Sequence, residues 1–347
     1  MSDQLDALVE GSLNWSYLTE DDLPALAELL LAIEYMDDPI EHLDLSDLNE
    51  MFNSSADQIA VVGRDKGDTV VAYAWNRYED SESGQAQTWL RTGVHPGWRH
   101  RKIGRKLVDW SIRTALEHHS DSTSAERDLW VGMTLDDKFI GMQNVLREFG
   151  LKPQRYFFDM HKELDTEIPD TPLPPGIRIE SYSPSMSEDI RILHNEVVSQ
   201  MAGSRSIDKA SWEASLSRSE HSPDLSWVAV SKSPGGGHEQ ITHGDYVGYA
   251  LNSVLSEKVE TGHYREGWTE LLGVCPNWQG LGVGAALLAA SAQGFADAGL
   301  DAAGLGADTD EPSDAENLMS AVGYQMSDQL ILFGKVFVSG VDFAPRS

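Results

Sequence analysis

The sequence predicts a mixed α/β fold built twice in tandem, each copy a twisted, mostly antiparallel sheet flanked by helices. Three observations carry this reading. Two segments repeat without gaps at an offset of 180 residues, each copy shows the same order of strand and helix patterns, and a proline run separates the copies.

The repeat is clearest in "GVHPGWRHRKIGRKLVDWSI" (Gly93 to Ile112) and "GVCPNWQGLGVGAALLAASA" (Gly273 to Ala292). Gly93/Gly273, Val94/Val274, Pro96/Pro276, Trp98/Trp278, Gly104/Gly284 and Leu107/Leu287 coincide. Upstream, "VVAYAWN" (Val70 to Asn76) matches "YVGYALN" (Tyr246 to Asn252). A period of one whole domain excludes a short-repeat solenoid. Between the copies, "IPDTPLPPGIR" places four prolines in a short polar run that resists helix and strand alike. The expected division is a first domain over 1–165, a linker over 166–176, a second domain over 177–338 and a tail over 339–347.

Each element follows from its pattern. In the first copy "LPALAELLLAIEYM" has helical spacing, and "DQIAVVGRD", "DTVVAYAWNRY" and "AQTWLRTGV" alternate like antiparallel strands. A helix (Gly104 to Glu117), the strand "DLWVGMT", the helix "KFIGMQNVLREF" and the strand "RYFFDMHKEL" follow. The second copy runs "GIRIESYS", two helices, "LSWVAVSKS", "DYVGYALNSVLSE", "GWTELLGV", a helix, "AAGLGAD", a helix and "QLILFGKVF". "SPGGGHEQITHG" reads as a hairpin loop.

Composition narrows the function. The chain has 347 residues, 41% of them hydrophobic, and a formal net charge of -30. That charge argues against nucleic acid and anionic membranes as partners and suits a cationic amine. A single cysteine, Cys275, excludes an intramolecular disulfide framework and makes Cys-based metal clusters implausible, so no metal is expected. The acidic N-terminus lacks a secretory pattern and no apolar run reaches membrane-spanning length, so a cytoplasmic monomer or homodimer is expected.

Against this acidity, "RHRKIGRK" holds five of the 26 basic residues: Arg99, Arg101, Lys102, Arg105 and Lys106. In both copies a strand ends in Gly-Val-x-Pro and passes into a loop that opens a helix. Amides there carry partial positive charge and favour phosphate, and glycines let a ligand approach the backbone. Read alone, "GLGVGA" (Gly280, Gly282, Ala285), with Asp308 further on, also fits a nicotinamide-dinucleotide fingerprint. The first copy lacks those glycines, and the preceding strands read as antiparallel hairpins rather than an opening βαβ unit, so this stays a minor alternative.

The shared pattern resembles the GNAT superfamily of acyl-CoA-dependent N-acyltransferases, whose motif is Gln/Arg-x-x-Gly-x-Gly/Ala after a strand of the form x-Val-x-Pro. "VCPNWQGLGVGAALL" matches in full, and "VHPGWRHRKIGRKL" matches except for Lys102 at the first motif glycine. "LGADTDEPSDAENLMSAVGY" further resembles the last motif of mycothiol-synthase-like tandem enzymes, with Glu311 in place of an Asn and Met319 in place of a Tyr. The resemblance implies two tandem GNAT domains, each sheet splayed where the pantetheine arm of acetyl-CoA enters. It implies CoA contacts from Leu272, Gly273, Val274, Gln279, Gly280, Leu281, Gly282, Val283, Gly284 and Ala285 in the second copy. In the first it implies Val94, Arg99, His100, Arg101, Lys102, Ile103, Gly104 and Arg105. The amides at Lys102 stay available if its φ is ordinary.

Acyl transfer to an amine needs a held thioester, a base for the ammonium proton and a proton for the thiolate. In "EGWTELLGV" strand alternation places Glu266, Trp268, Glu270 and Leu272 on one face. The family's usual Glu falls on Trp268, so Glu270, one pleat away, is the candidate base; the plainer reading is a solvated strand residue. The first copy has Thr88 and Leu90 there. The usual acid is Met319 in the second copy and Leu146 in the first; Tyr264, Tyr324, Asp308 or water could replace it. From Glu266 to Gly334 the second copy has no Lys or Arg and ten acidic residues. The first copy is therefore expected to bind and hold acyl-CoA, and the second to acetylate. The reverse assignment stays open.

The leading reading is an acetyltransferase that moves an acetyl group from acetyl-CoA to a primary amine of a small molecule by direct attack. The alternative is a catalytically degenerate acyl-CoA sensor or scaffold. Cys275 reads as a small hydrophobe, Trp98 and Trp278 as packing at the loop base, and His238, Glu239 and His243 as a loop that only approximates a metal motif.

Overall fold

The computed structural model describes residues 5, 8, 13–54, 57–79, 85–122, 124–199, 206–218, 220–231, 245–259, 262–309, 320–339 and 341. The hairpin-loop residues His238, Glu239 and His243, and Glu311 and Met319 of the last motif, lie outside them. The chain forms two compact units, Met1–Tyr156 with Leu330–Ser347, and Phe157–Gln329. Copy order alone does not set their membership. The chain's last strand supplies residues from Leu330 on to the first unit, and residues from Phe157 on belong to the second.

In the first unit β1 (Asn14–Tyr17), β2 (Asp57–Arg64), β3 (Val70–Glu79) and β4 (Ala86–Val94) pair antiparallel in that order. β5 (Leu129–Asp136) lies parallel to β4, and the Leu330–Phe337 part of β12 (Gln325–Phe337) pairs antiparallel with β5. α1 (Leu23–Asp37) starts after a reciprocal cap in which Thr19 and Asp22 exchange hydrogen bonds. Its Leu23, Leu26, Leu29 and Leu30 are buried with Tyr73 and Trp75 of β3. α2 (Leu45–Phe52) adds Leu48 to that core. α3 (Ile103–Ser120) buries Leu107 and Trp110 in a second cluster with Val61, Ala72 and Ala74. Each such large side chain contributes about 1.5–3 kcal/mol by leaving water. α4 (Ile140–Glu148) closes a third cluster through Leu146.

The second unit repeats the plan. β7 (Ile177–Ser181), β8 (Trp227–Ser231), β9 (Tyr246–Val259) and β10 (Gly262–Val274) pair antiparallel, and β11 (Ala302–Thr309) lies parallel to β10. The Phe157–Glu163 part of β6 (Lys152–Glu163) lies beyond β11. α5 (Ser187–Val198) and α6 (Lys209–Leu216) cover one face with Ile190, Leu193 and Trp212. α7 (Val283–Asp297) covers the other through Val283 and Leu287.

Two internal details repeat with the sequence. Asn76 and Asn252 are fully buried, and each binds the helix that follows its hairpin: Asn76 donates to the Ser111 carbonyl (2.8 Å) and Asn252 to the Ser291 hydroxyl (2.9 Å). Tyr73 packs on Gly93 and Tyr249 on Gly273 so closely that a Cβ at either glycine would lie 2.4 Å from the ring. The same buried polar pair and the same ring-on-glycine contact mark both units as copies of one plan.

Candidate active site

In both units the parallel strands separate after four paired residues. β4 pairs with β5 from Ala86/Leu129 to Trp89/Gly132, and β10 with β11 from Glu266/Ala302 to Thr269/Leu305. Beyond those points the strands run on unpaired with one another, leaving a fork whose backbone groups can take a ligand. β10–α7–β11 is thus a parallel βαβ unit, and the strands before it pair antiparallel, as the sequence predicts. It differs from a dinucleotide-binding sheet in the antiparallel β9 on its other side and in the early separation of its strands.

The forks are not equivalent. β4 keeps continuous register with β3, whereas β10 slips by one residue against β9 between Thr269 and Leu271. Glu270 is the extra residue of this β-bulge, and such a residue leaves its amide and carbonyl outside the ladder. The bulge also corrects the face assignment. Gly267 faces Phe295 of α7, so Glu266 and Trp268 face away from that helix. Leu271 packs with the α5–α6 cluster, while Leu272 packs with Val283 and Leu287 on the α7 side. The predicted single row of four therefore ends at Trp268. Glu270 is exposed, and its charge reaches His221, whose pKa burial lowers although the Asn252 backbone hydrogen bond and the Glu270 charge act to raise it. Thr88 and Leu90 of the first unit are buried and bring no carboxylate.

At the fork mouths the two loops share one backbone path. A turn at Pro96–Trp98 or Pro276–Trp278 leads to Arg99 or Gln279. Arg99 Nε donates to the Val94 carbonyl (3.2 Å) and Gln279 Nε2 to the Val274 carbonyl (2.9 Å), so this position ties the loop to the end of its strand. Left-handed residues then alternate: His100 (φ 63°) and Lys102 (φ 63°) in the first loop, Gly280 (φ 71°) and Gly282 (φ 88°) in the second. The condition of an ordinary φ at Lys102 is not met, because the helix start takes the left-handed region even where the sequence offers lysine. The first helical bonds run from Lys106 to Lys102 and from Ala286 to Gly282. The amides of Ile103, Gly104 and Arg105, and of Val283, Gly284 and Ala285, precede them and face the loop as anion donors. Ile103, Val283 and Ala285 turn their side chains into the core, so only their backbone is offered.

The basic run is partly committed within the unit. Arg99 grips Asp37 with both guanidinium nitrogens, Arg105 Nε donates to Glu148 (2.9 Å), and Arg101 lies over the Trp98 ring at 4.4 Å. In the second loop Leu281 is exposed and the space beside Gly280 is open, whereas the Pro172 carbonyl approaches Gly282. Leu173 packs with Val283 and Trp278, so this part of the proline run is packed against the second unit. Leu146, at the family's tyrosine position, is fully buried core. Cys275 keeps a raised pKa, chiefly from burial and also from Glu196, against the lowering by the Asn277 backbone. Tyr324 is 3% exposed and its hydroxyl has no hydrogen-bond partner among the described residues.

One group was missed by sequence reasoning. On the Glu266 face His161 of β6 meets Glu266 Oε1 through Nδ1 and Glu163 Oε1 through Nε2, both at 3.0 Å. The only hint in the sequence was a His two residues before a Glu on a predicted strand.

No family model matches the chain. A mycothiol acetyltransferase of Paenarthrobacter aurescens is 24% identical over 262 residues, covering 73% of this chain and 72% of that protein. One from Saccharopolyspora erythraea is 29% identical over 140 residues, or 38% of this chain and 44% of the relative. A GCN5-related N-acetyltransferase from Sphaerobacter thermophilus superposes with TM-score 0.62 at 20% identity, covering 95% of this chain and 98% of that one. A tandem GNAT protein from the clavulanic acid biosynthesis pathway superposes over 96% of this chain and 100% of its own, with TM-score 0.53 at 14% identity. The chain has the fold of a tandem GNAT protein. In both units the parallel strands part at a fork and a loop of the same backbone path opens the following helix, with lysine in one loop where the other has glycine.

Proposed function

We propose that this tandem GNAT protein transfers an acetyl group from acetyl-CoA to a primary amine of a small molecule, with the chemistry in the second unit. The observation that carries the assignment is the bulge at Glu270, present in the second fork and absent from the first. A freed backbone amide at the root of a fork is a preorganised donor for the oxygen of a thioester carbonyl as it gains negative charge. Both loops suit the CoA pyrophosphate through unpaired helix amides, and the first adds cations. The first unit's buried Thr88 and Leu90 bring no carboxylate at the positions of Trp268 and Glu270, which supports binding there rather than turnover.

In this mechanism Glu270 takes the ammonium proton and the neutral amine attacks the thioester carbonyl. A C–N bond forms, the C–S bond breaks and CoA leaves as a thiolate that must be protonated. The similarity to mycothiol acetyltransferases supports an amino-sugar conjugate among the acceptors worth testing. The test is release of free CoA from acetyl-CoA with polyamines, aminoglycosides, cysteinyl amino sugars and amino acids. Amine-dependent release that falls at least tenfold in Glu270→Gln supports the proposal. CoA binding without turnover would favour a sensor, with the chain acting as a scaffold.

A further inference from the structure

Resting on the reading of the first unit as an acyl-CoA site, we infer that residues 37–41 form a strap that closes the first fork and must open before acyl-CoA enters. The strap regulates the site that the basic loop serves.

The segment leaves the end of α1 and crosses from one arm of the fork to the other. β4 and β5 part after Trp89 and Gly132, and each arm beyond that point holds the strap. The Glu41 carboxylate accepts from both terminal nitrogens of Arg91 on β4, at 3.0 and 3.1 Å. Its neighbour Ile40 donates its amide to the Asp136 carboxylate at the end of β5 (3.1 Å), and Lys138, just past β5, donates to the Asp38 carbonyl. Adjacent residues thus bind opposite arms, which lays the strap across the gap. Strand alternation fixes the face it covers. Leu90 of β4 and Met133 and Leu135 of β5 belong to the core cluster that holds Val108 and Ile112 of α3. Arg91 and Asp136, one residue out of phase, therefore face away from α3. Helix α3 covers one side of the fork and the strap the other. Ile33 of α1 extends the cover, since a Cβ on Gly93 of β4 would lie 3.0 Å from it.

The strap also occupies a cation that a phosphate would use. Asp37 grips both terminal nitrogens of Arg99, and its side chain is only 13% exposed, so solvent and salt screen this pair little. A pyrophosphate at the loop must compete with Asp37 for Arg99. A pantetheine arm in the fork must lift Ile40 and Glu41 from the two strands. Both demands fall on one short segment, so the contacts open together. A strained corner is built into it: Asp38 takes the left-handed conformation (φ 45°) directly before Pro39, where a following proline disfavours helical geometry. Such a corner persists only while the contacts around it hold it. The strap is thus a two-state element. A ligand that binds only the open state has an apparent affinity set by the fraction open, and weakening the strap tightens its binding.

Hydrogen exchange of the full chain, titrated with acetyl-CoA, tests the strap. Acetyl-CoA should protect residues 99–106 and speed exchange over residues 38–42, which include the Ile40 amide. Glu41→Gln removes the tie to β4, so it should speed exchange over 38–42 without ligand. It should also lower the acetyl-CoA midpoint for protection of 99–106 by about two- to fivefold. Glu148→Gln removes one charge from beside Arg105 of the same loop without touching the strap, and should leave exchange over 38–42 at the wild-type rate. Thermal unfolding of both variants checks folding. Protection of 99–106 with exchange over 38–42 unchanged or slowed overturns the inference. Protection of 99–106 that appears only in Glu41→Gln supports it, as a site held shut. Protection of 279–286 alone, in wild type and Glu41→Gln alike, overturns it and leaves the chemistry proposed for the second unit standing. Protection of neither loop overturns both.

Discussion

Lys102 and Gly282 open equivalent helices in the same left-handed conformation, with φ of 63° and 88°. A side chain in that region costs roughly 1–2 kcal/mol, a cost that glycine does not bear. Lys102→Gly should therefore leave stability unchanged or raise it by up to about 1 kcal/mol, glycine's greater freedom in the unfolded chain offsetting part of the relief. Gly282→Ala should lose about 1–2 kcal/mol, because the new Cβ is strained and meets the Pro172 carbonyl at 3.3 Å. Urea unfolding of the two variants checks the contrast, and equal effects of one sign would contradict it.

Arg99 carries two jobs that single substitutions separate. It ties the loop to the Val94 carbonyl, as Gln279 ties its own to Val274, and it holds Asp37, whose side chain is 13% exposed. Arg99→Ala should cost about 2–4 kcal/mol, since it leaves a mostly buried carboxylate unpaired. Arg99→Gln should still lose the ion pair but retain loop geometry and most CoA affinity. Adding Asp37→Asn to Arg99→Gln should recover part of the stability, measurable as a double-mutant cycle.

Gly304 is where a single methyl group should separate Glu266 of β10 from His161 of β6. Gly304→Ala drives Glu266 and Trp268 apart from their present places, at a cost of about 1–3 kcal/mol for overpacking. The His161–Glu266 bond should break with it, so the His161 pKa should fall towards its ordinary value. Histidine NMR titration of the variant reads this directly.

Stability should depend on pH through His161. Burial disfavours the charged ring, yet the hydrogen bonds and charges of Glu163 and Glu266 outweigh it and leave the pKa raised. A group whose pKa is higher folded than unfolded stabilises fully below its unfolded value, about 6.5 for histidine, and loses that contribution as pH rises through the folded value. The melting temperature of the wild type should exceed that of His161→Gln at pH 6, with the gap closing in the alkaline range. A gap that widens with pH would show the sign to be wrong.

Element order, the duplicated loops and the asymmetry between Thr88/Leu90 and Trp268/Glu270 were legible in the sequence because periodicity and local motif spacing encode them. The bulge was not: alternation counts residues evenly, and one extra residue at Glu270 moves Leu272 to the opposite face. Nor was the left-handed Lys102, since a loop path copied from its glycine-bearing twin overrides local preference. Asp37 as the partner of Arg99 and His161 as the partner of Glu266 depend on contacts 62 and 105 residues apart, which no local pattern reports. The membership of β6 and β12 in the two units is equally non-local.

In the proposed assignment the second fork, with its bulge at Glu270, performs the transfer. The most direct measurement is acetyl-CoA-dependent acetylation of the amine panel by the full chain, comparing Glu270→Gln with Leu90→Gln at the equivalent position of the first unit. Turnover that falls at least tenfold in Glu270→Gln and stays near wild type in Leu90→Gln is the predicted result. Turnover unchanged in Glu270→Gln and lost in a folded Leu90→Gln protein would place the chemistry in the first unit and contradict the account.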